Sequence, residues 1–356
     1  MLTRMVLIYR GFKEDILAIP TRTIFFVGAI ILAIIPVFNQ EPYLLSILTY
    51  TAIFAIFAAS WDILGGYTGV VSLAHGVLFG IAAYTAALLN IHLHLPPLVT
   101  IPMGAVAAVL AGLLIAIPSL RVRGMYFTLI SVAIPYIVTG IVFAFPQFTG
   151  GELGISGITS LAGSKLEQYY IVYPIMVICC LIMWKLTDSR SAIVRLGIKL
   201  QAIREDEIAA RSVGVNTVMQ KLIAFGISGF FAGIAGGLYA HVIKVAGPST
   251  LELMFAFNPL IWTTFGGTGT IIGPVLGTYI LYPFMEFMRA VPEIRMLVFA
   301  LLLIFILYFM PEGLLNWFRD KAEEICPRCK LTNVSIRKTC RACGAQLHLE
   351  REDKHK

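Results

Sequence analysis

The sequence predicts an all-α polytopic membrane protein with about ten transmembrane helices, followed by a small tail of different composition. Apolar residues make up 58% of the 356 residues and charged residues only 13%, well below the roughly 25% that globular proteins carry. The apolar residues form runs long enough to cross a bilayer, and the positive charges lie between these runs. This much apolar surface exceeds what one soluble core would bury, so a membrane fold is expected.

Each spanning helix needs about 20 largely apolar residues to cross the roughly 30 Å of hydrocarbon. On this basis we predict spans near residues 24–38, 43–63, 70–89, 97–118, 125–145, 170–186, 222–243, 254–271, 273–289 and 296–310. Glycines between residues 266 and 273 interrupt the pair at 254–289, so two spans and a re-entrant hairpin are both compatible with it.

The lysines and arginines predict the orientation. With the amino terminus inside, 23 of the 27 lie on the inner side, and loops rich in these residues face the cytoplasm. We therefore expect a cytoplasmic N-terminal segment at 1–23, a transmembrane domain at 24–318 and a cytoplasmic tail at 319–356. No cleavable signal peptide is predicted, because the first apolar run has no small-residue cleavage site.

The cytoplasmic loop at 187–221 carries a charged helix between two predicted spans. Glu207 and Arg211 are spaced i, i+4 and can form an ion pair, and Gly214 is a natural helix stop. A rigid, charged helix with a small-residue face suits contact with a soluble partner, whereas a solvated loop helix without a partner is the alternative. The residues predicted to make the contact are Glu205, Glu207, Ala209, Ala210, Arg211 and Gly214.

This loop and five other stretches resemble one transporter family. Residues 202–240 are similar to the permeases of branched-chain amino-acid ATP-binding cassette (ABC) importers, more closely to their LivM-like branch. The five other stretches are Gly-Gly-Tyr-Thr-Gly at 65–69 with Ser-Leu-Ala-His-Gly at 72–76, Arg-Val-Arg-Gly at 121–124, Thr-Gly-Gly-Glu-Leu-Gly-Ile-Ser at 149–156, Gly-Gly-Thr-Gly at 266–269 and Pro-Glu-Gly-Leu-Leu at 311–315. The resemblance covers about residues 40–318. It does not identify the solute, because amide and urea importers share the pattern.

The resemblance implies one half of an importer in the plasma membrane of a prokaryote. Such a chain pairs with a second related permease, binds two ATPase subunits through its cytoplasmic loop and receives a small solute from an extracytoplasmic binding protein. The sequence contains no Gly-x-x-x-x-Gly-Lys-Ser/Thr phosphate loop, so ATP is expected only in the partner subunits and the chain is not expected to be an enzyme.

Polar residues at membrane depth are candidates for the translocation path, because an ionisable group there costs at least about 2.5 kcal/mol. Asp62 and His75 flank the glycine run at 65–69, where a broken helix would expose its backbone to a water-lined cavity. Tyr67, Thr68 and Ser72 add hydroxyl groups to the same region. Close helix packing around small residues is the alternative explanation.

The tail contains two Cys-x-x-Cys pairs separated by ten residues, namely Cys326 with Cys329 and Cys340 with Cys343. Four thiolates in this arrangement predict a structural zinc site of the zinc-ribbon kind, and a cytoplasmic location disfavours disulfides. A catalytic zinc is not expected, because four cysteines leave no open coordination position. A structural cap and a docking surface for an ATPase are both open as roles, and nucleic-acid binding is not expected.

Two other classes of function compete with the importer. A self-contained channel or secondary carrier for a small solute such as urea would need no cytoplasmic docking helix. A membrane-embedded metalloenzyme is disfavoured, because the spans contain neither His-Glu-x-x-His nor paired aspartates.

Overall fold

The computed structural model describes residues 20–119, 125–188, 196–309, 312–326, 328, 332–334, 339–340 and 343–346. Within them the chain is predominantly helical, as the sequence predicted. The helices are α1 Pro20–Phe38, α2 Pro42–Thr68, α3 His75–Leu93, α4 Pro97–Ser119, α5 Met125–Ala144, α6 Pro146–Thr149, α7 Lys165–Thr187, α8 Leu196–Glu205, α9 Glu207–Ser212, α10 Thr217–Ile243, α11 Leu253–Gly266, α12 Ile272–Phe287, α13 Pro292–Phe309 and α14 Leu314–Ala322. Short strands are β1 Ile155–Ser156, β2 Val245–Ala246, β3 Glu323–Ile325 and β4 Thr332–Val334, and 3-10 turns lie at Gly151–Leu153, Pro248–Thr250 and Met288–Ala290.

Six of these helices are long and apolar enough to cross a membrane, namely α2, α3, α4, α5, α7 and α10. A polytopic helical membrane protein is therefore supported. Each of the ten predicted spans coincides with a helix, but the count of ten spans is not confirmed. Within the described residues, no further helix combines that length with that apolar character.

Helix α2 is surrounded by α7, α10, α11 and α12, and most of its 27 residues are buried. Apolar side chains on all sides are typical of a helix in such a position. Its hydroxyl groups bond along the helix: Thr49 Oγ1 donates to the carbonyl of Leu45, and Thr51 Oγ1 donates to that of Ile47, each at 2.7 Å. These polar side chains are therefore satisfied within α2 itself.

Helix α10 crosses α3 and α4 at small residues. A Cβ on Gly236 would overlap the carbonyl oxygen of Phe79 in α3, and one on Gly233 would lie 2.6 Å from the Cα of Ala105 in α4. Small residues let helix backbones approach this closely in lipid. The glycines in this span therefore have a packing role.

Helices α11 and α12 form a tight hairpin whose turn is residues 267–271. A Cβ on Gly266 would overlap the carbonyl oxygen of Gly273, and one on Gly277 would overlap that of Trp262. At 1.5 Å per residue, the 14 residues of α11 and the 16 of α12 reach about 21 and 24 Å. Both lengths fall short of the roughly 30 Å hydrocarbon core, which favours the re-entrant alternative.

Strands β1 and β2 pair antiparallel, with Ile155 opposite Ala246. Gly154, just before β1, adopts φ +69°, and a Cβ on it would overlap the carbonyl oxygen of Ala246. Only glycine fits this combination of a left-handed backbone and a close approach. The glycine-rich segment after α6 is therefore held against the residues that follow α10.

Residues 40–313, which include α2 to α13, form one compact unit, and residues 1–39 with 314–356 form a second. In the second unit α14 contacts α1, and β3 pairs antiparallel with β4. The Nζ of Lys321 lies 3.8 Å from the ring centre of Trp317 in α14. Most of the predicted N-terminal segment at 1–23 lies outside the described residues.

Candidate coupling site and metal centre

Asp206 divides the predicted cytoplasmic helix into α8 and α9. Its backbone is extended (φ −155°, ψ 110°), and its Oδ1 accepts hydrogen bonds from the backbone N–H groups of Ile208 at 2.8 Å and Ala209 at 3.0 Å. This is an N-cap, which starts a new helix. Gly214 follows the end of α9 with φ +89°, as predicted for a helix stop. We call residues 205–214 the coupling segment.

Glu207 attaches α9 to the start of α10. Its Oε1 accepts from Arg211 Nη2 at 2.6 Å, which is the predicted i, i+4 pair, and from Thr217 Oγ1 at 3.1 Å; its Oε2 accepts from Lys221 Nζ at 2.8 Å. Partial burial acts to raise the pKa of Glu207. The hydrogen bond and charge of Lys221, with the hydrogen bonds of Thr217 and Arg211, outweigh that effect and leave the pKa below its ordinary value. The carboxylate is thus held in its charged form by this chain's own residues.

The exposed surface of the coupling segment is more apolar than the sequence predicted. Ile208 is 70% exposed and Val213 is 79% exposed, and neither was singled out from the sequence. Ala209 is exposed, but Ala210 is only 4% exposed and faces this chain's own interior. The other predicted residues with exposed positions are Glu205, Arg211 and Gly214.

Asp62, a predicted path residue, lies near the end of α2 and connects it to the hairpin. Its Oδ1 accepts from the backbone N–H of Gly269, in the turn between α11 and α12, at 2.8 Å. Close by, the carbonyl oxygen of Gly66 accepts from Arg204 Nη1 at 2.6 Å. Arg204 belongs to α8 and was not singled out from the sequence. Three separate segments of the chain therefore meet at this point.

Three glycines make room for Arg204 and Asp62, and we call Gly66, Gly69 and Gly269 the glycine pocket. A Cβ on Gly66 would overlap Asp62 Oδ1 and the backbone nitrogen of Gly269. One on Gly69 would lie 3.3 Å from Arg204 Cγ, and one on Gly269 would lie 3.0 Å from Arg204 Nη1. Gly69 and Gly269 also adopt φ +71° and +74°, a conformation that favours glycine.

Three further predicted path residues are buried near the same end of α2. The side chain of Tyr67 is buried and lies beside that of Thr187 at the end of α7. Thr68 Oγ1 donates to the carbonyl four residues earlier in its own helix, at 2.5 Å. The carbonyl of Ser72 accepts from Trp61 Nε1 at 2.8 Å. All three residues thus lie against groups of this same chain.

His75, the last predicted path residue, begins α3 and is fully buried. Its Nε2 lies 2.9 Å from Ser60 Oγ, and its ring stacks on Phe57 with ring centres 5.2 Å apart. The carbonyl of Ser60 accepts in turn from Ser228 Oγ in α10, at 2.7 Å. All five predicted path residues therefore lie among helices of this chain, an arrangement that favours the packing alternative over direct contact with solute.

A second polar cluster, which was not predicted from the sequence, lies around His241 in α10. Its Nε2 lies 2.7 Å from Thr100 Oγ1, and its Nδ1 lies 2.9 Å from the carbonyl oxygen of Thr159. Asn90 Nδ2 donates to Thr159 Oγ1 at 2.7 Å. The signal that could have found this cluster is a histidine inside an apolar span.

The tail brings three of its four predicted zinc ligands together. The sulfur atoms of Cys326, Cys340 and Cys343 lie within 4.8 Å of one another, with 3.5 Å between those of Cys326 and Cys343. Zn–S bonds of about 2.3 Å in a tetrahedron place sulfurs about 3.8 Å apart, so the cluster fits a metal ion. Gly344 adopts φ +69° and its N–H donates to the carbonyl of Cys340 at 3.1 Å, closing one knuckle. Cys329 lies outside the described residues.

Comparison with known proteins places the chain in one family. The family model described as "Branched-chain amino acid transport system / permease component" matches residues 43–307. The high-affinity branched-chain amino acid transport system permease protein LivM of Escherichia coli (strain K12) is 29% identical over 338 residues, which cover 87% of this chain and 77% of that protein. No solved structure matches the chain.

Other relatives show how broad this likeness is. The high-affinity branched-chain amino acid transport system permease protein BraD of Pseudomonas aeruginosa is 25% identical over 81% of this chain and 99% of its own length. The galactose/methyl galactoside import permease protein MglC of Escherichia coli (strain K12) is 28% identical over 72% of this chain and 83% of its own length. The family model spans well over half of the sequence. The chain therefore belongs to the family of permease components of branched-chain amino acid transport systems, and it is a transport subunit of an ABC importer rather than an enzyme.

Proposed function

We propose that the chain translocates branched-chain amino acids or similar small polar solutes, delivered by an extracytoplasmic binding protein and driven by ATP hydrolysis in partner subunits. The observation that carries this proposal is the family match over residues 43–307. The family match supports the transport function more strongly than it supports any one solute. A galactose permease is also similar to this chain, and one permease fold serves chemically different solutes.

The proposed assembly contains a second related permease and two ATP-binding cassette subunits. We propose that an ATPase contacts the coupling segment through Ile208, Ala209 and Val213, which are exposed. Apolar side chains at the centre of an interface, surrounded by charged ones, are the usual anatomy of protein–protein contacts. Glu205, Arg211 and Gly214 border this surface, while Glu207 and Ala210 support it from within.

For the orientation we propose a plasma membrane location in a prokaryote, with both termini and the coupling segment in the cytoplasm. The support is the distribution of lysine and arginine, of which 23 of 27 fall on one side of the predicted spans. The glycine pocket then lies at the inner end of α2. We propose that Asp62, Tyr67, Thr68, Ser72 and His75 act on the path indirectly, by shaping the helix ends that border it.

In the tail we propose a structural zinc ion held by Cys326, Cys340 and Cys343, with Cys329 as fourth ligand. The support is the sulfur cluster and the spacing of the two pairs. A segment this short buries little apolar surface, so the metal would supply most of its folding free energy. Its proposed role is a structural cap or a docking surface for an ATPase.

The first experiment is purification of the chain from its native operon in mild detergent, followed by an ATPase assay with candidate solutes and the binding protein. Recovery of ATPase subunits, with hydrolysis stimulated by loaded binding protein, is the expected result and begins to identify the cargo. A chain that purifies without ATPase and moves solute down its gradient in vesicles would instead establish the alternative, a channel or secondary carrier.

A further inference from the structure

Arg204 joins α8 to two glycine motifs that lie far away in the sequence. Gly66 is 138 residues from Arg204, and Asp62 is 207 residues from its partner Gly269. Asp62 and Gly269 bond the two motifs directly, and Arg204 Nη1 lies in the space that Gly66 and Gly269 leave beside this bond. The guanidinium is also close enough to interact electrostatically with Asp62.

The bond to Gly66 satisfies a group that α2 itself leaves open. The last four carbonyls of a helix have no partner within the helix, and Gly66 belongs to the last turn of α2, which ends at Thr68. The backbone N–H of Val70, which would donate to the carbonyl of Gly66 if the helix continued, donates instead to that of Leu64 at 3.2 Å. A guanidinium at the negative end of the helix dipole makes a charge-assisted hydrogen bond there.

The position of Arg204 places it at the edge of the coupling segment. It lies two residues before Asp206, where α8 ends and α9 begins. Glu207, just beyond the break, binds Lys221 of α10. In the described part of the cytoplasmic loop, Glu207 thus holds α9 to α10, and Arg204 bonds α8 to the end of α2 beside the turn at 267–271.

We propose that Arg204 is the positioning residue that passes movement of the coupling segment to the inner end of α2 and to the turn at 267–271. The proposal rests on the ATPase-docking role proposed above for residues 205–214. Because Asp62 ties that turn to α2, a displacement of Arg204 acts on both elements together. Coupling between the coupling segment and the turn at 267–271 is demonstrated only when a change at Arg204 alters the link between them. The test therefore measures the response of the coupling segment and that of the turn separately.

The test uses the assembled importer in nanodiscs and proteoliposomes, with Arg204→Gln, Arg204→Lys and the control Lys199→Gln. Lys199 is an exposed cation on the same helix, outside the coupling segment and the glycine pocket. Three quantities are measured: ATPase subunits bound per permease, solute imported per ATP hydrolysed, and the change in hydrogen exchange at 207–214 and at 267–271 on addition of ATP with vanadate.

For Arg204→Gln we expect wild-type recruitment of ATPase, but import per ATP lower by about tenfold, within the range of roughly 5- to 150-fold that coupling free energies cover. The exchange response should persist at 207–214 and disappear at 267–271. Arg204→Lys should restore part of both quantities, because an ammonium can also donate to a single carbonyl. Lys199→Gln should match the wild type.

A merely structural role would lower recruitment or hydrolysis in Arg204→Gln without removing the response of the turn selectively. Wild-type import per ATP and an intact response at 267–271 in Arg204→Gln would overturn this proposal while leaving the docking role in place. A wild-type chain that recruits no ATPase would overturn the docking role, and this proposal would fail with it.

Discussion

Replacing Glu207 by alanine is expected to release α9 from α10 and to weaken binding of the ATPase. The change removes the ion pairs with Arg211 and Lys221 and the hydrogen bond from Thr217. Each partly exposed ion pair contributes about 0.2–1 kcal/mol, and the hydrogen bond about 1 kcal/mol. The attachment of α9 should therefore lose about 1.5–3 kcal/mol.

This loss reduces the fraction of chains whose coupling segment is held ready to dock. Because every 1.4 kcal/mol is tenfold in an equilibrium constant, this loss lowers the fraction of the competent state by at most about 10- to 100-fold. Apparent affinity falls with that fraction, so we expect the Kd for the ATPase to rise about tenfold. Bio-layer interferometry on the nanodisc-reconstituted permease measures this constant, with the ATPase titrated at constant salt.

The control is Glu152→Gln, which removes an exposed carboxylate from the 3-10 turn before β1, on the face predicted to be external. It should leave the Kd unchanged. If Glu207→Ala also binds the ATPase within about twofold of the wild type, the argument that Glu207 holds the coupling segment is refuted. Thermal unfolding of each variant separates loss of docking from loss of the fold.

Three further predictions concern the tail, the packing of α10 and the effect of pH. Elemental analysis should find about one zinc ion per chain and none in Cys340→Ser. Chelation of the zinc should raise hydrogen exchange in the tail but not in α2. A purified chain without zinc would contradict the metal site. Gly236→Ala should lower the free energy of unfolding by about 1–3 kcal/mol, because the new methyl group overlaps the carbonyl of Phe79. The control is Gly226→Ala, which has open space around its Cβ. Equal melting temperatures of the two variants would refute the packing role of Gly236. Because the pKa of Glu207 is lowered in the folded chain, its stabilisation of α9 is fully present above the ordinary value of 4.5 and is lost as the pH falls through the lowered value. ATPase binding titrated against pH should therefore be level down to about pH 5 and fall below it, and the fall should be absent in Glu207→Gln.

The sequence predicted the elements well because helix formation in a membrane depends on local composition. Apolar runs fix where α2, α4 and α5 lie to within a few residues, since an unsatisfied backbone in lipid is costly. The helix stop at Gly214 and the ion pair of Glu207 with Arg211 also followed from spacing alone, because both depend on residues within one or two turns of a helix.

The contacts that assemble the candidate site were not predictable in this way. In the sequence, Arg204 is one of several cations in a charged loop. Only in the folded chain does its side chain contact Gly66. The sequence likewise marked Asp62 as a path residue, whereas its carboxylate holds the turn at Gly269. Hydropathy reports how apolar a segment is but not which partner a buried polar group meets. The position of His241 inside an apolar span is visible in the sequence, but its contacts with Thr100 and Thr159 are not.

The self-contained hydroxyl groups of α2 have a consequence for how the protein is made. The chain is synthesised from its amino terminus, so α2 enters the bilayer before the ribosome has produced α7, α10, α11 or α12, the helices that later enclose it. During that interval the hydroxyls of Thr49, Thr51 and Thr68 need no outside acceptor, because they already bond to carbonyls one turn earlier. These three side chains therefore bring no unmet hydrogen bond into the bilayer, whereas the carboxylate of Asp62 gains its partner only once the turn at 267–271 has been made.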